Sequence, residues 1–175
     1  MATTAIGSGR STGTVRSSVL FVCMGNICRS PLAEGVFRTY VERAGLQKSI
    51  KVDSAGTHDY QLGQPPDPRA LAAAARRGFK LPPHRARRVG VRDFGRFDWI
   101  LAMDRANLRE LQALRPEYYE GHLGLLLALR EPSLPDEVPD PYYGGTQEFE
   151  TALDLIERGA NSLLRALRQR LAGAI

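Results

Sequence analysis

A chain of 175 residues with 43% hydrophobic and 25% charged side chains has the length and balance of one globular domain with a substantial core. Its apolar runs fall far short of the ~20 residues needed to span a bilayer, so no membrane insertion is expected, and its two cysteines supply neither a disulfide framework nor the paired spacing of a zinc site. A net charge of +5 admits nucleic acid, an acidic surface or an anionic substrate, but no zinc-finger, RNA-recognition or basic-zipper pattern accompanies it, so no nucleic-acid partner is expected.

Residues 1–17 are rich in Ser, Thr and Gly and lack the apolar segment of a secretory signal. They are read as a flexible extension, and residues 18–175 as a single domain. Few cysteines and no signal point to a reducing cytoplasm. Ser18 to Val22 is apolar after its first residue and reads as a strand buried on both faces. Ser30 is expected to cap the following helix and Pro31 to take its first position, with Leu32, Ala33, Val36, Phe37, Tyr40 and Val41 at helical spacing and Gly45 as the stop.

A second short strand is expected at Ile50 to Asp53, followed by a turn over Ser54-Ala55-Gly56-Thr57. Gly63 to Pro68 reads as a loop, Ala70 to Arg77 as a helix ended by Gly78, and Phe97 to Met103 as a third strand. Asp104 precedes or caps a helix through Leu108, Leu111 and Leu114. Leu123 to Leu129 is read as a fourth strand, being short and bounded by Gly121 and Pro132. Pro132 to Pro141 is a proline-rich loop. The last helix is expected to have Thr146 at its N-cap and a stripe of Phe149, Leu153, Ile156, Ala160, Leu163, Leu167 and Leu171. Alternating strands and helices imply an α/β fold with a parallel sheet, whose site lies beyond the strands' C-terminal ends. Arg76, Arg77, Lys80, Arg85, Arg87, Arg88, Arg92 and Arg96 bunch together and read as a solvated basic face, while His58 and His122 carry no functional signal.

The stretch from Val19 to Pro31 concentrates the chemistry. An apolar strand ends on Cys23, a small polar loop follows, and Arg29-Ser30-Pro31 opens a helix. Met24, Gly25, Asn26, Ile27 and Cys28 can turn their N–H groups inward as an anion cradle, helped by Gly25 and Asn26, which tolerate left-handed backbone. A helix N-terminus adds partial positive charge, and the guanidinium of Arg29 can hold two phosphate oxygens. Helix N-termini and cations favour the thiolate of a cysteine placed among them. Cys23 is therefore read as a nucleophile at the floor of a phosphate cradle. The loop lacks the Gly-Lys-Ser/Thr ending of a Walker A motif.

The string VLFVCMGNICRSPLAEGVF resembles the signature of the low-molecular-weight protein tyrosine phosphatase family, and DSAGT, PPDPRA, FDWILAMD and DPYYGG extend the match along nearly the whole chain. The resemblance implies a flavodoxin-like sandwich with a four-stranded parallel sheet in the order 2-1-3-4. It implies Cys23 as nucleophile, Arg29 as phosphate ligand, Asn26 as the residue that shapes the loop, Ser30 as the serine beside the sulfur, and Ser54 and His84 as residues that hold the loop through Asn26. Asp140 falls on the general acid, which the chemistry needs because a phenolate leaves poorly. Tyr60, Tyr142 and Tyr143 fall on the aromatic positions that wall the slot. The implied substrates are phosphotyrosine-containing proteins or peptides, with no cofactor or metal, and a monomer or weak dimer. Cys28 is a candidate for a reversible disulfide with Cys23.

Three other readings compete. Arsenate reductases share this fold and loop but need further cysteines in relay, and no cysteine follows Cys28. Protein arginine phosphatases typically place threonine where Ile27 stands. A phosphotyrosine-binding module without turnover would not need Cys23, Arg29 and Asp140 together.

Overall fold

The computed structural model describes residues 14–129 and 135–173. Most of the expected extension and part of the proline-rich loop therefore lie outside the described residues. Four parallel strands form one sheet in the order β2-β1-β3-β4, as the resemblance implied. They are β1 (Ser17–Cys23), β2 (Ile50–Gly56), β3 (Trp99–Ala102) and β4 (His122–Leu125). The helices are α1 (Arg29–Arg43), α2 (Pro68–Arg76), α3 (Arg105–Leu114) and α4 (Thr146–Ala172).

The run from Val19 to Val22 has no solvent exposure because β1 is central in the sheet and covered on both faces. Alternation sends Val19 and Phe21 toward α1, α2 and α4, where Phe21 meets the edge of Phe37 at 5.7 Å between centroids. Leu20 and Val22 face the other way, into a smaller cluster with Leu111 of α3, Phe94 and Tyr119.

Several boundaries move, each for a local reason. Strand β1 starts at Ser17, within the stretch read as extension, and the Arg16 and Ser17 N–H groups both donate to the Ser49 carbonyl. β2 continues to Gly56 instead of turning at Ser54, since its rungs with β1 persist to Cys23–Gly56. Only the first part of Leu123–Leu129 is a strand. The last rung pairs Ala102 with Leu125, and Leu126–Leu129 then winds into a 3₁₀ helix. Leu126 and Leu127 press onto α4 at Gly159, where a Cβ would stand 2.7 Å from Leu126 Cγ.

The helix starts also differ. Ser30 does not cap α1: Cys28 takes that position without a side-chain bond, and the Ser30 hydroxyl turns inward. Thr146 does not cap α4 either, because Gly145 occupies the cap and the Glu148 carboxylate accepts its N–H at 2.7 Å. α2 starts at Pro68, earlier than expected, under Asp67, whose carboxylate accepts the Arg69 N–H at 2.8 Å. Asp104 caps α3 as expected, accepting the Asn107 N–H at 2.8 Å.

The basic run is not one free face. Arg76 and Arg77 pair with Glu150, and Arg77 also meets Asp154 and Glu157, tying α2 to α4. Arg87 pairs with Asp53 and Asp93. Among the described residues no helix is long and apolar enough to cross a membrane.

Candidate active site

Strand β1 delivers Cys23 to the C-terminal edge of the sheet, and the chain curls from Met24 to Cys28 before α1 begins at Arg29. Asn26 makes the curl. It has φ 57°, the one left-handed non-glycine residue among those described, whereas Gly25 does not use the positive φ expected of it. This conformation aims the Asn26 N–H at Cys23 Sγ, 3.3 Å away. The buried side chain fixes it in place. Nδ2 donates to Ser30 Oγ at 2.9 Å and to Ser54 Oγ at 3.0 Å, while Oδ1 accepts the Arg87 N–H at 3.0 Å. His84 Nε2 lies 2.8 Å from the Asn26 carbonyl and must carry the proton there, since a carbonyl only accepts.

Behind this loop stands Glu34, buried on α1. It accepts the Ser54 hydroxyl at 2.8 Å and the Arg38 guanidinium at 2.9 and 3.1 Å, with His84 Nδ1 at 4.0 Å. Ser30 Oγ sits 3.0 Å from Cys23 Sγ and 3.3 Å from the Ala55 carbonyl. A continuous chain of hydrogen bonds thus runs from Arg38 to the sulfur.

Arg29 is almost wholly buried. Its Nη1 donates to Asp104 at 2.6 Å and to the Val138 carbonyl at 2.9 Å, and Nη2 lies 3.5 Å from Asp140. Burial opposes its charge, but Cys23, Asp104 and Asp140 outweigh that and hold its pKa above the ordinary arginine value. The Val138 N–H in turn donates to the Met103 carbonyl at 2.8 Å, pinning the loop that carries Asp140 to the end of β3. Asp140 accepts the Tyr142 N–H at 3.1 Å.

These parts enclose a cavity of about 300 Å³. Cys23, Met24, Gly25, Ile27, Cys28 and Arg29 form its floor, and Tyr60, Gln61, Asp140, Tyr142 and Tyr143 form its walls. The walls are wet on their outer sides, Tyr60 being 73% and Tyr143 94% exposed. Tyr60 is stacked on His58 at 5.2 Å, and Tyr142 meets Tyr143 edge-on at 4.9 Å. Arg69 lies over the Tyr142 ring, donates to the Gly144 carbonyl and is held by Asp67. Both cysteines are buried and unpaired. Burial pushes the Cys28 thiol up, with Asp67 adding to it. Among the described residues no group of three or more metal-ligating side chains gathers.

Residues 18–172 match the family model for the low molecular weight phosphotyrosine protein phosphatases. The chain belongs to that family. It is 42% identical over 158 residues to a low molecular weight protein-tyrosine-phosphatase of Streptomyces coelicolor, covering 89% of this chain and 96% of that one. The structure of YfkJ from Bacillus subtilis superposes with a TM-score of 0.83 at 39% identity, covering 93% and 99% of the two chains. A Drosophila arginine phosphatase superposes at 0.79 with 33% identity, covering 85% and 96%.

Within this phosphatase the expected site residues separate into two sets. Cys23 to Arg29 (Asn26 excepted), Tyr60, Asp140, Tyr142 and Tyr143 line the cavity, while Asn26, Ser30, Ser54 and His84 stand behind the loop. Five residues to which the sequence assigned no part in the site also belong to it: Gln61 on the wall, Asp104 on Arg29, Glu34 and Arg87 behind Asn26, and Asp67 beside Cys28. One signal for Glu34 is present in the sequence. Ser30, Glu34 and Arg38 follow one another at four-residue steps, a polar line through the apolar first half of the helix.

Proposed function

We propose that this chain hydrolyses phosphotyrosine through a cysteinyl-phosphate intermediate. The observation that carries the reading is the joint presence of Cys23, Arg29 and Asp140 on one cavity with aromatic walls. The Cys23 thiolate attacks phosphorus in line. The bond to the phenolic oxygen breaks, and Asp140 gives that oxygen its proton. Asp140, now a carboxylate, takes a proton from water as the water attacks phosphorus, and inorganic phosphate and free Cys23 result. The loop N–H groups and the Arg29 Nη2 and Nε donors take up the charge on the three remaining oxygens. Arg29 Nη1 stays committed to Asp104 and Val138, so the guanidinium plane is fixed before substrate arrives.

The aromatic walls favour an aryl phosphate, whose ring fills the slot between Tyr60 and Tyr142, over phosphoserine on its short stem. Ile27 presents an aliphatic side chain to the floor, which supports a phosphate ester over the phosphoramidate of an arginine phosphatase. Two free thiols suit a reducing cytoplasm. Turnover of p-nitrophenyl phosphate in a chelating buffer tests the reading. Wild type turns over and Cys23→Ser does not, while Cys23→Ser still binds phosphate. Activity in Cys23→Ser, or loss of activity to the chelator, overturns the mechanism, and preferential hydrolysis of phosphoarginine overturns the substrate.

A further inference from the structure

The arginines of the basic run sort by whether a carboxylate neutralises them. Arg76, Arg77 and Arg87 are paired. Arg85, Arg88, Arg92 and Arg96 are exposed, and among the described residues none of the four has a carboxylate partner within salt-bridge distance. Their positions differ in a way that matters. The segment from His84 to Val89 lies alongside the phosphate loop. Gly56 N–H donates to the Arg87 carbonyl and Val89 N–H to Gly56, while Gly63 and Gln64 exchange hydrogen bonds with Ala86, each of these at 2.8 or 2.9 Å. Arg85 and Arg88 therefore flank the loop that bears Tyr60, just outside the residues that line the cavity itself. Arg88 Nε donates to the Thr57 carbonyl at 3.2 Å, and Arg85 Nη1 reaches the Gly63 carbonyl at 3.4 Å. These are the two ends of the loop that carries Tyr60 and Gln61 into the cavity wall. Arg96 belongs to the far end of the sheet, where its carbonyl accepts the Ser18 hydroxyl.

Among the described residues the opposite wall offers no free arginine of this kind: Asp140 lines it and meets Arg29, Arg69 over Tyr142 is held by Asp67, and Asp136 and Glu137, just before Asp140 in the same loop, pair with Arg105. Besides Asp53 and Asp93, which Arg87 holds, the acids near the basic side are Asp59 within the loop and Glu110, which lines a second cavity with Arg88. Neither forms a salt bridge among the described residues.

We infer that Arg85 and Arg88 form a specificity surface for acidic residues flanking the phosphotyrosine on the Tyr60 side only, so that acidic phosphopeptides are the preferred substrate class. The inference rests on the phosphotyrosine reading of the cavity. An extended peptide rises about 3.3 Å per residue, and charges act over roughly 8–10 Å at ordinary ionic strength, so residues within about three positions of the phosphotyrosine feel these arginines. Two solvent-exposed pairs together are worth about a fivefold preference.

The test uses the full-length protein and synthetic phosphotyrosine peptides in which Asp replaces Ala on the N-terminal flank, the C-terminal flank or neither. The quantity read is the ratio of kcat/KM for acidic over neutral peptide on each enzyme, which removes any general change in activity. Wild type should favour one acidic flank by about fivefold at low salt and lose most of that at 0.5 M salt. Arg85→Gln/Arg88→Gln should bring the ratio to about one, Arg85→Lys/Arg88→Lys should keep most of it, and Arg96→Gln should keep it all. A ratio near one in wild type, a preference surviving in the Gln pair, or equal loss in Arg96→Gln overturns the inference. Absence of turnover of every peptide and of p-nitrophenyl phosphate overturns the phosphotyrosine reading instead.

Discussion

Asn26 offers a quantitative test of how the phosphate loop is held, because its backbone strain and its side-chain bonds can be removed separately. Asn26→Gly deletes the bonds to Ser30, Ser54 and the Arg87 N–H while suiting the φ of 57°. At a net ~1 kcal/mol each, the three bonds amount to about 3 kcal/mol. The strain that Gly relieves is offset by its greater freedom in the unfolded chain, whereas Asn26→Ala loses the same bonds and keeps the Cβ in the left-handed region, about 1 kcal/mol worse than Gly. For a domain of this size each kcal/mol moves Tm by roughly 2–4 °C, so the Gly variant should melt about 6–12 °C below wild type and the Ala variant about 3 °C lower still. Urea titrations should give the same order in ΔG at an unchanged m-value. Activity should fall further than stability suggests, because the Asn26 N–H that reaches Cys23 Sγ is no longer aimed. A Gly variant within about 2 °C of wild type would refute the anchoring argument. Equal stability of the Gly and Ala variants would refute the strain argument alone.

Two more outcomes follow from named contacts. Asp104 divides its oxygens, one capping α3 and the other holding Arg29. Asp104→Asn can keep the cap but turns an NH₂ group toward the guanidinium, so kcat/KM for p-nitrophenyl phosphate should drop about 10²-fold and Tm should fall as the buried Arg29 loses a charge partner, and wild-type kinetics would show that Val138 and Asp140 suffice to orient Arg29. His122 lies against Trp99 at the other end of the sheet, and burial, then Arg170, holds its pKa below the ordinary 6.5. The folded state resists the proton that the unfolded chain accepts. Its contribution to stability is therefore complete above about pH 6.5 and is lost as pH falls through the lower folded value. Urea midpoints for wild type should decline across that window, and those of His122→Gln should decline less. Parallel slopes would exclude His122 as the cause.

The parts of this molecule that sequence made legible are those whose meaning lies in neighbouring residues. The strand-loop-helix unit around Cys23 shows itself because Cys23, the curled loop and Arg29 are contiguous. Parallel order followed from the family motifs, and the unbroken apolar run of β1 gave its burial on both faces. What escaped depends on partners far along the chain. β2 outran its turn-prone Ser54-Ala55-Gly56 because β1 was there to pair with it. Leu126 and Leu127 left the strand pattern because β3 had already ended and α4 offered Gly159. Ser30 looked like a cap because cap and sulfur partner are both hydroxyl roles, and only the fold decides which way the hydroxyl turns. The basic run read as one solvated face because pairing of Arg77 with Glu150, or of Arg87 with Asp53, is invisible to a charge count.

The polar chain behind the loop also fixes proton positions that no single contact decides. Glu34 is buried and paired with Arg38, so it is an acceptor only. The Ser54 hydroxyl must then donate to it. Its own oxygen is left to accept, which requires the NH₂ of Asn26 on that side and excludes the flipped amide. The same orientation turns Oδ1 toward the Arg87 N–H, where an amide NH₂ would meet a donor. The second Nδ2 proton goes to Ser30 Oγ. The Ser30 proton is thereby freed for either Cys23 Sγ or the more distant Ala55 carbonyl. The sulfur at 3.0 Å is the nearer of the two, with the Ala55 carbonyl at 3.3 Å as the alternative. A buried carboxylate on α1 thus sets the direction of the hydrogen bonds that run from itself through Ser54 and Asn26 to Ser30.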